Sequence, residues 1–579
     1  MTERTHSPRW RRGRWLIAAG ALVLALAGLL ALDLANRGLT WQVFWSLTGE
    51  EAPVAQLRGM VELAGNATRR TPDTAPYIPI AHASASPFGI NTFLEQEAEP
   101  AKREQIVAMI ADAGFTWMRQ QFVWEDIEIH GRGDFTDRRN DSNGVDAWAK
   151  YDQIVDLAQQ YGVGLIARLD NPPAWAQSVP GNFAPPADVQ DFVNYAVAVA
   201  QRYKGRIDTY QVWNEPNIYP EWGEQAVNPE AYSDLLCRTY DALKAVDPNI
   251  TVLSGALSPT VALTGRDLSD LIYLQRMYDA GAGACFDVLA AQGYGFFSGP
   301  TDRRLRPFTL NFGRPQYLRD TMVANGDAAK SVWITEAAWN PVDSPEVPVD
   351  VAGRENYGVA TREQAAAYMP LAYQRAQEEW PWMGVISYWF FKRPSEAEAG
   401  QSWYYFRMVE PDFTPLPVYN AMRDYLTTLE PTLYRGVHQA EHWAVTLSDD
   451  AALEPAEGAQ LGEAERTASA QFTVQGTSVM LRWRGDALLT VTVDSGSAST
   501  VMPNTDGWTE TLIASSLFNQ RHTVEVSSAA PFLLDSITIT AITIDDGLAA
   551  IGLILSAAAV ISLALLGLGL WRAGRRRSA

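Results

Sequence analysis

The stretch DTYQVWNEPN at residues 208–217 decides the fold, because a short apolar strand in it ends in a polar turn that contains a carboxylate. SVWITE at 331–336 has the same form. Working outward from these two, the same pattern of a strand followed by a helical stretch recurs at 87–92, 115–120, 163–170, 250–256, 287–294 and 384–391. Alternating strands and helices of this kind indicate parallel strands.

Eight such units between residues 86 and 430 predict an α/β fold, a (β/α)8 TIM barrel with several long loops. An open, doubly wound sheet is the structural alternative. That fold usually has a glycine-rich phosphate turn after an early strand, and the GYGFFSG at 293–299 has the wrong spacing for one.

The composition is that of a folded, multidomain protein. The chain has 579 residues, of which 47% are hydrophobic and 20% charged, and its length suggests about two to four domains. The formal net charge of −21 includes arginine-rich ends, so the middle is still more acidic. Such a surface repels phosphates and disfavours nucleic-acid binding.

Two apolar runs, at 15–32 and 547–571, are long enough to span a bilayer. Arginines fill the flanking tails 1–14 and 572–579, and arginine clusters stay in the cytoplasm. We therefore expect two transmembrane helices, both termini in the cytoplasm and the middle outside the cell membrane. The first run is also compatible with a cleaved signal sequence, which would export the middle as well.

The exported part has two further regions besides the barrel. Residues 33–85 lack strong periodicity and are interpreted as a stem or a barrel lead-in. In residues 432–546 short alternating strands separated by Gly, Ser and Asn turns predict a β-sandwich. Cys237 and Cys285 are the only cysteines, and either one disulfide or two buried thiols fit the sequence.

The carboxylates at two predicted strand ends point to chemistry. Reactive groups of a (β/α)8 barrel stand at the carboxyl ends of its strands, and strands four and seven face each other across the mouth. Glu215 follows strand four and Glu336 ends strand seven. Glycoside hydrolysis requires such a pair, one group to protonate the leaving oxygen and the other to attack the sugar or activate water.

WNEPN at 213–217 and ITEAAW at 334–339 resemble the two catalytic motifs of the clan A retaining glycoside hydrolases. Family 39 is the closest in character, followed by the cellulase-like family 5, and the resemblance covers about residues 86–430. It implies that Glu215 is the general acid/base and Glu336 the nucleophile of a retaining O-glycosidase. The expected substrate is an oligosaccharide or polysaccharide, such as a cell-envelope glycan.

The resemblance also implies supporting roles. Asn214 would bind the substrate 2-hydroxyl, Arg119 and Tyr294 would contact the nucleophile, and Trp389 would floor the sugar subsite. For Arg119, Tyr294 and Trp389, ordinary packing or ion pairing stays open. Trp175 is a candidate for sugar stacking, with loop packing as its alternative. The remaining polar strand ends, Asn91, Asp170 and Asn171, are expected to cap or turn the chain.

One position departs from the family pattern, since Gln292-Gly293-Tyr294 stands where many relatives have His-x-Tyr. None of the six histidines ends a predicted barrel strand, and there is neither a P-loop nor an HExxH helix, so no metal or cofactor is expected.

Two alternatives remain: a catalytically silent, membrane-bound glycan-binding protein, and a transglycosylase of exported polysaccharide. The C-terminal region resembles galactose-binding-like and carbohydrate-binding modules, and its alternative is a plain spacer that holds the barrel off the membrane.

Overall fold

Eight parallel strands form the centre of the computed structural model, which describes residues 8–181 and 183–548. Each strand pairs in parallel with its neighbours, and β8 pairs with β1. The remaining gap, between β5 and β6, is closed by isolated bridges from Leu253 to Val288 and from Leu257 to Ala291. The predicted eight-stranded barrel is confirmed. Its strands are β1 Phe88–Thr92, β2 Trp117–Val123, β3 Gly164–Asp170, β4 Thr209–Val212, β5 Thr251–Leu253, β6 Leu289–Gln292, β7 Val332–Ala337 and β8 Met383–Tyr388.

Helices cover the outside of the barrel. The helices around the strands are α4 Pro100–Asp112, α5 Ala149–Gln160, α6 Val189–Arg202, α7 Pro229–Val246, α8 Asp270–Asp279, α9 Pro315–Ala324, α10 Arg362–Glu379 and α11 Pro417–Thr428. Several begin at side chains that cap free backbone N–H groups: Asn228 caps α7, and Thr361 and Gln364 form a capping box on α10. Shorter elements in the loops are the helical turns Leu94–Gln96, Trp124–Ile127, Ala282–Ala284 and Ser402–Phe406 and a hairpin of Thr136–Asp137 with Val145–Asp146.

Two apolar layers hold the barrel together. Inside the ring, Ile166, Leu253 and Trp333 pack with other buried residues below the carboxyl ends of the strands. A larger cluster fills the space between the strands and the helices. Because the interior is closed by side chains, polar groups accumulate only at the upper, carboxyl ends of the strands, which is where a barrel enzyme places its site.

The N-terminal region is helical. It contains α1 Pro8–Ala35, α2 Leu39–Thr48, α3 Pro53–Ala64 and the turn Gly65–Thr68. Within α1, Ile17–Ala35 is the one helical segment among the described residues that is long and apolar enough to cross a membrane, with a mean hydropathy of 2.3. The second predicted span, 547–571, lies outside the described residues from 549 onward, as does the tail 572–579.

Residues 33–85, interpreted above as a stem or lead-in, pack along the flank of the barrel. The carbonyl of Trp45 accepts a hydrogen bond from Thr301 at 2.6 Å, and its ring lies 6.5 Å from that of Tyr368. Arg304 pairs with Glu50 at 2.7 Å. The N-terminal helices are therefore fastened to the loop after β6 and to α10.

A sheet domain follows the barrel. Two long strands, Glu463–Gly485 and Asn504–Thr540, pair antiparallel and carry the shorter ones, which are Thr432–Leu433, Gly436–Gln439, Val445–Leu447, Ala452–Pro455, Leu489–Val493 and Ser499–Val501. The domain has its own buried core around Trp483 and Phe472. Trp443 joins that core to the barrel, where its ring lies 5.5 Å from Phe88. The predicted C-terminal sheet region is thus present, and its assignment as a sandwich stays a prediction.

Candidate active site

Arg119 on β2 lies at the centre of a layer of buried polar side chains at the carboxyl ends of the strands. We call this the polar layer, and it includes Asn91, Asp170, Asn214, Gln292 and Glu336. The Arg119 guanidinium donates to the carboxylate of Glu336 at 2.8 Å, to Asn214 at 2.8 Å and to Gln211 at 2.7 Å. A fourth hydrogen bond, of 2.7 Å, reaches Asn91. The side chain is 1% exposed, so water does not compete for these four hydrogen bonds.

Glu336 on β7 accepts hydrogen bonds at both oxygens. Arg119 occupies Oε1, and the hydroxyl of Tyr294, just beyond β6, donates to Oε2 at 2.7 Å. Burial raises the pKa of Tyr294 well above its ordinary value, and the charge of Glu336 adds to the shift, so this phenol remains a donor. The two contacts fix the plane of the carboxylate.

The turn after β4 presents Glu215 in an uncommon conformation. Trp213 and Glu215 have φ values of 74° and 40°, in the left-handed region that non-glycine residues seldom adopt. Such residues cluster at functional sites, where the surrounding structure holds them. Here the amide of Glu215 donates to the carbonyl of Ala256 at 2.9 Å. Asn217 links the same turn to the loop after β5. Its side-chain oxygen accepts from the amide of Ser258 at 2.8 Å, and its side-chain nitrogen donates to the carbonyl of Ser258 at 2.9 Å.

Glu215 lies in a different electrostatic setting from Glu336. Burial raises the pKa of Glu215 well above its ordinary value, and the negative charges of Glu336 and Glu221 raise it further. The opposing influences, a hydrogen bond from Ser258 and the charge of Arg119, are weaker. Glu215 therefore keeps its proton more readily than an ordinary glutamate does.

Glu221 is a third carboxyl group that sequence reasoning missed. The indole of Trp213 donates to its backbone carbonyl at 2.7 Å and so draws the loop back beneath the turn. Burial raises the pKa of Glu221 to about 7; Arg168 and a hydrogen bond with Asn214 oppose the shift, while Asp170 and Glu336 add to it. Only its position six residues beyond Glu215 could have drawn attention to it.

Asn91 and Asp170, for which capping or turn roles were expected, belong to the polar layer instead. Asn91 accepts from Arg119 and donates to the carbonyls of Thr335 and Tyr388 at 2.8 and 3.1 Å, which ties β1 to β7 and β8. Asp170 pairs with Arg168 at 2.6 Å and accepts from Gln121 at 2.6 Å. Their inward direction follows from the alternation of side chains along each strand.

Gln292 fills the position where relatives often have histidine. Its carbonyl oxygen accepts a hydrogen bond from Thr335 at 3.1 Å, and its amide lies 3.5 Å from the side-chain oxygen of Asn214. The glutamine therefore keeps a donor directed at Asn214, although it carries no charge. Glutamine in place of histidine therefore still links Thr335 to Asn214 by hydrogen bonds.

Tyr357, in the long loop after β7, was also missed. Burial raises its pKa to about 12, and the negative charges of Glu215, Glu336 and Glu221 raise it further. Its ring packs 5.6 Å from Phe406 and 6.0 Å from Tyr294. A loop residue with no strand register offers no sequence signal for this placement.

The two tryptophans named from the sequence differ in placement. Trp389, half-buried after β8, donates its backbone N–H to Ala337, next to Glu336, at 3.1 Å, and its ring packs at 5.5 Å against Phe93. Trp175 instead packs at 5.7 Å against Trp124 and donates its indole N–H to the carbonyl of Glu128 at 3.0 Å. None of the contacts described for Trp175 reaches the carboxyl pair.

A cleft of 560 Å³ opens over the ends of β1, β2 and β3. Charged and amide side chains dominate its lining, including Glu95, Gln121, Glu125, Lys150 and Asn171. Gln121 also contacts Asp170, so the cleft adjoins the polar layer that holds Arg168 and Glu221. Its size and polarity suit hydroxyl-rich ligands.

Comparison with known proteins gives a family match for part of the chain. Residues 80–270 match the family model described as Cellulase (glycosyl hydrolase family 5), and this segment includes β1 to β5 and the Glu215 turn. No curated protein matches the chain.

Solved structures give weaker likenesses. A family 39 glycoside hydrolase from the gut symbiont Bacteroides cellulosilyticus WH2 is 16% identical, with 76% of this chain and 80% of that chain covered and a TM-score of 0.44. The GH39 enzyme from Xanthomonas axonopodis pv. citri is 15% identical over 78% of this chain and 95% of that one, with a TM-score of 0.43. GH5_18 from Streptomyces cattleya, in complex with GlcNAc, is 16% identical over 61% and 83%, with a TM-score of 0.44.

The family match begins just before β1, ends at the first residue of α8 and includes the Asn-Glu-Pro turn on which the sequence resemblance rested. The predicted enzyme class, a glycoside hydrolase, is confirmed by this match, which extends over the first five strands of the barrel.

Proposed function

We propose that the protein is a membrane-anchored, extracytoplasmic glycosidase that retains anomeric configuration, with Glu336 as nucleophile and Glu215 as general acid/base. The observation that carries this proposal is the unequal environment of the two carboxyl groups. Glu336 is held by two donors, one of them a guanidinium, whereas burial and two negative neighbours raise the pKa of Glu215. Two carboxyl groups in such unequal environments can serve one as the acid and the other as the nucleophile or base.

In the first step, Glu336 attacks the anomeric carbon while Glu215 gives its proton to the departing glycosidic oxygen. The bond from the sugar to the leaving group breaks as the ester bond to Glu336 forms. In the second step, Glu215, now ionised, takes a proton from water, and the resulting hydroxide oxygen displaces Glu336. Arg119 holds Asn214 in place at 2.8 Å, and Asn214 would hydrogen-bond the substrate 2-hydroxyl.

The substrate class follows from the cleft and the location. An acidic exported surface does not favour polyanions, and a polar cleft of 560 Å³ accommodates several sugar hydroxyls. We therefore propose a neutral oligosaccharide or polysaccharide of the extracellular matrix or cell envelope.

The location rests on two features. The helical segment Ile17–Ala35 has the length and hydropathy of a membrane anchor, with arginines before it. Cys237 and Cys285 form a disulfide, with their Cα atoms 4.7 Å apart. Disulfides persist in oxidising compartments, so the pair supports a barrel outside the cytoplasm.

The test compares the full-length enzyme in detergent with its Glu215→Gln and Glu336→Gln variants on aryl glycosides and soluble polysaccharides. Loss of a general acid costs about 10²- to 10⁴-fold, and loss of a nucleophile should cost at least as much. With a leaving group that needs no proton, Glu215→Ala should regain turnover when azide is added and should release a glycosyl azide of retained configuration.

Glu346→Gln is the matched control, because this side chain is 57% exposed and its one ion pair within the described part of the chain is with Arg362, at 3.7 Å. If either active-site variant hydrolyses substrate as fast as the control does, the assignment of that residue is wrong. Oligosaccharide binding without turnover, unaffected by both variants, would identify the silent glycan-binding alternative. Products longer than the substrate would identify a transglycosylase.

A further inference from the structure

Helix α3 is apolar on its exposed side. Val54, Leu57 and Val61 are 80%, 42% and 75% exposed, and Ala64 continues the same stripe at helical spacing. The opposite side, which faces the protein, contains Gln56, Gly59 and Leu63. We call the stripe of Val54, Leu57, Val61 and Ala64 the α3 apolar face. Among the described residues nothing covers it, which is the reverse of an ordinary surface helix.

The position of α3 is set by the apolar helix α1. Asp33, near the end of α1, accepts a hydrogen bond from the amide of Thr40 at 2.8 Å, which fixes the elbow between α1 and α2. Arg37 in that elbow pairs with Glu51, just before α3, at 3.0 Å. Gly59 lets α3 approach α2 closely, since a Cβ there would lie 2.9 Å from Thr48. The α3 apolar face is therefore held near the point where α1 ends.

The neighbouring side chains have the chemistry of a membrane interface. Trp41 on α2 is partly exposed, and tryptophan is enriched at the level of lipid headgroups. Arg58 lies beside the stripe with its side chain 81% exposed; its Nε pairs with Glu62 at 3.0 Å, which leaves the other guanidinium nitrogens for lipid phosphates. Leu39, at the start of α2, is 74% exposed.

We propose that the α3 apolar face lies in the headgroup region of the bilayer that α1 enters, so that the flank of the barrel formed by α10 and the loop after β6 rests close to the membrane. The occupant is lipid, because α1 delivers α3 to the bilayer surface and the apolar stripe with one arginine fits an interfacial helix. This inference depends on the proposed membrane anchoring through α1.

The test uses full-length protein in phospholipid vesicles with single spin labels at Val54→Cys, Leu57→Cys and Val61→Cys. The native cysteines are paired, so each introduced thiol is the only free one. Leu488→Cys, on the sheet domain, is the matched control, because Leu488 is 46% exposed and Leu57 is 42% exposed. Collisions with oxygen, which concentrates in lipid, are compared with collisions with a water-soluble nickel complex.

We expect the ratio of oxygen to nickel accessibility to be several-fold higher at the three α3 positions than at Leu488→Cys. Equal ratios in protein that floats with vesicles would overturn the α3 contact and leave the anchor intact. Failure to float would instead refute the anchoring by α1, and the inference with it. Labels shielded from both reagents would indicate a protein surface, such as a second copy, and would also overturn the proposal.

Discussion

Arg119 holds Glu336 and Asn214 at the same distance, 2.8 Å, through two nitrogens of one guanidinium. The proposed nucleophile and the residue beside the proposed acid/base are thus set relative to each other by a single rigid group. The planar fork makes the spacing insensitive to rotation of either partner, which a lysine could not achieve.

Arg119→Lys should lower kcat/KM by about 10²-fold or more, because lysine cannot serve four acceptors in a plane. Steady-state kinetics measure kcat/KM, and a thermal melt shows whether the variant is folded. Arg314→Lys is the matched control, since Arg314 and Asp270 form an equally buried pair outside the site, each side chain 1% exposed. Similar losses of activity for the two folded variants would contradict a special role for Arg119.

Tyr294→Phe removes the hydrogen bond to Oε2 of Glu336 and little else. A hydrogen bond to a charged group contributes about 1.5–3 kcal/mol, so kcat/KM should fall roughly 10- to 150-fold. Tyr388→Phe, which loses a 2.7 Å hydrogen bond to the carbonyl of Phe406, should affect stability more than turnover. An unchanged kcat/KM for Tyr294→Phe would show that Arg119 alone positions the carboxylate.

The pH profile should reflect Glu215. A general acid must be protonated, so kcat/KM should fall as pH rises through the pKa of Glu215, which burial and the charges of Glu336 and Glu221 raise. Glu221→Gln removes one of these charges and should move the alkaline limb to lower pH. A limb that stays in place in Glu221→Gln, as expected for Glu346→Gln, would contradict this coupling.

The stability of the protein should also depend on Glu221. Folding raises the pKa of this group from 4.5 to about 7, so its contribution to stability is full below pH 4.5 and is lost as pH rises to about 7. The gain in unfolding free energy from Glu221→Gln should therefore be larger at pH 8 than at pH 5, by on the order of 2 kcal/mol. Melts at both pH values measure it; a gain independent of pH would refute the linkage.

Reduction of the disulfide should destabilise the fold and leave the chemistry unchanged at 25 °C. The bond between Cys237 and Cys285 encloses a separation of 48 residues, for which chain entropy predicts about 4 kcal/mol. Calorimetry with and without a membrane-permeant phosphine measures the change. Free thiols in the untreated, correctly exported protein would contradict the pairing.

The barrel and the central residues of its polar layer could be predicted, because the regular geometry of a strand determines where each of its side chains lies. Once eight strands are counted, Arg119, Glu336 and Tyr294 fall at the same end of the ring, and the structure joins them by hydrogen bonds. Glu221 and Tyr357 could not be found this way. They reach the site through loops whose course depends on long-range contacts, such as that between Trp213 and the carbonyl of Glu221.

The N-terminal region shows a second limit of sequence reasoning. A helix such as α3 that is apolar on its exposed side and packs through Gln56 and Gly59 has no readable amphipathic pattern toward its own protein. Trp175 shows a third limit, because a tryptophan in a loop serves packing and sugar contact equally well on paper, and only its neighbour Trp124 distinguishes them.

Arg303 and Arg304 are consecutive, yet they pair with opposite ends of the region between the two apolar runs: Arg303 with Asp545 at 3.1 Å, and Arg304 with Glu50 at 2.7 Å. If both apolar runs cross the bilayer, the barrel is moored at two neighbouring points and cannot turn about either. Its mouth then keeps one tilt and one height relative to the bilayer surface. Such an enzyme would act only on polymer chains that come close to the membrane surface. Its turnover would then depend on the rate at which polymer is delivered along that surface.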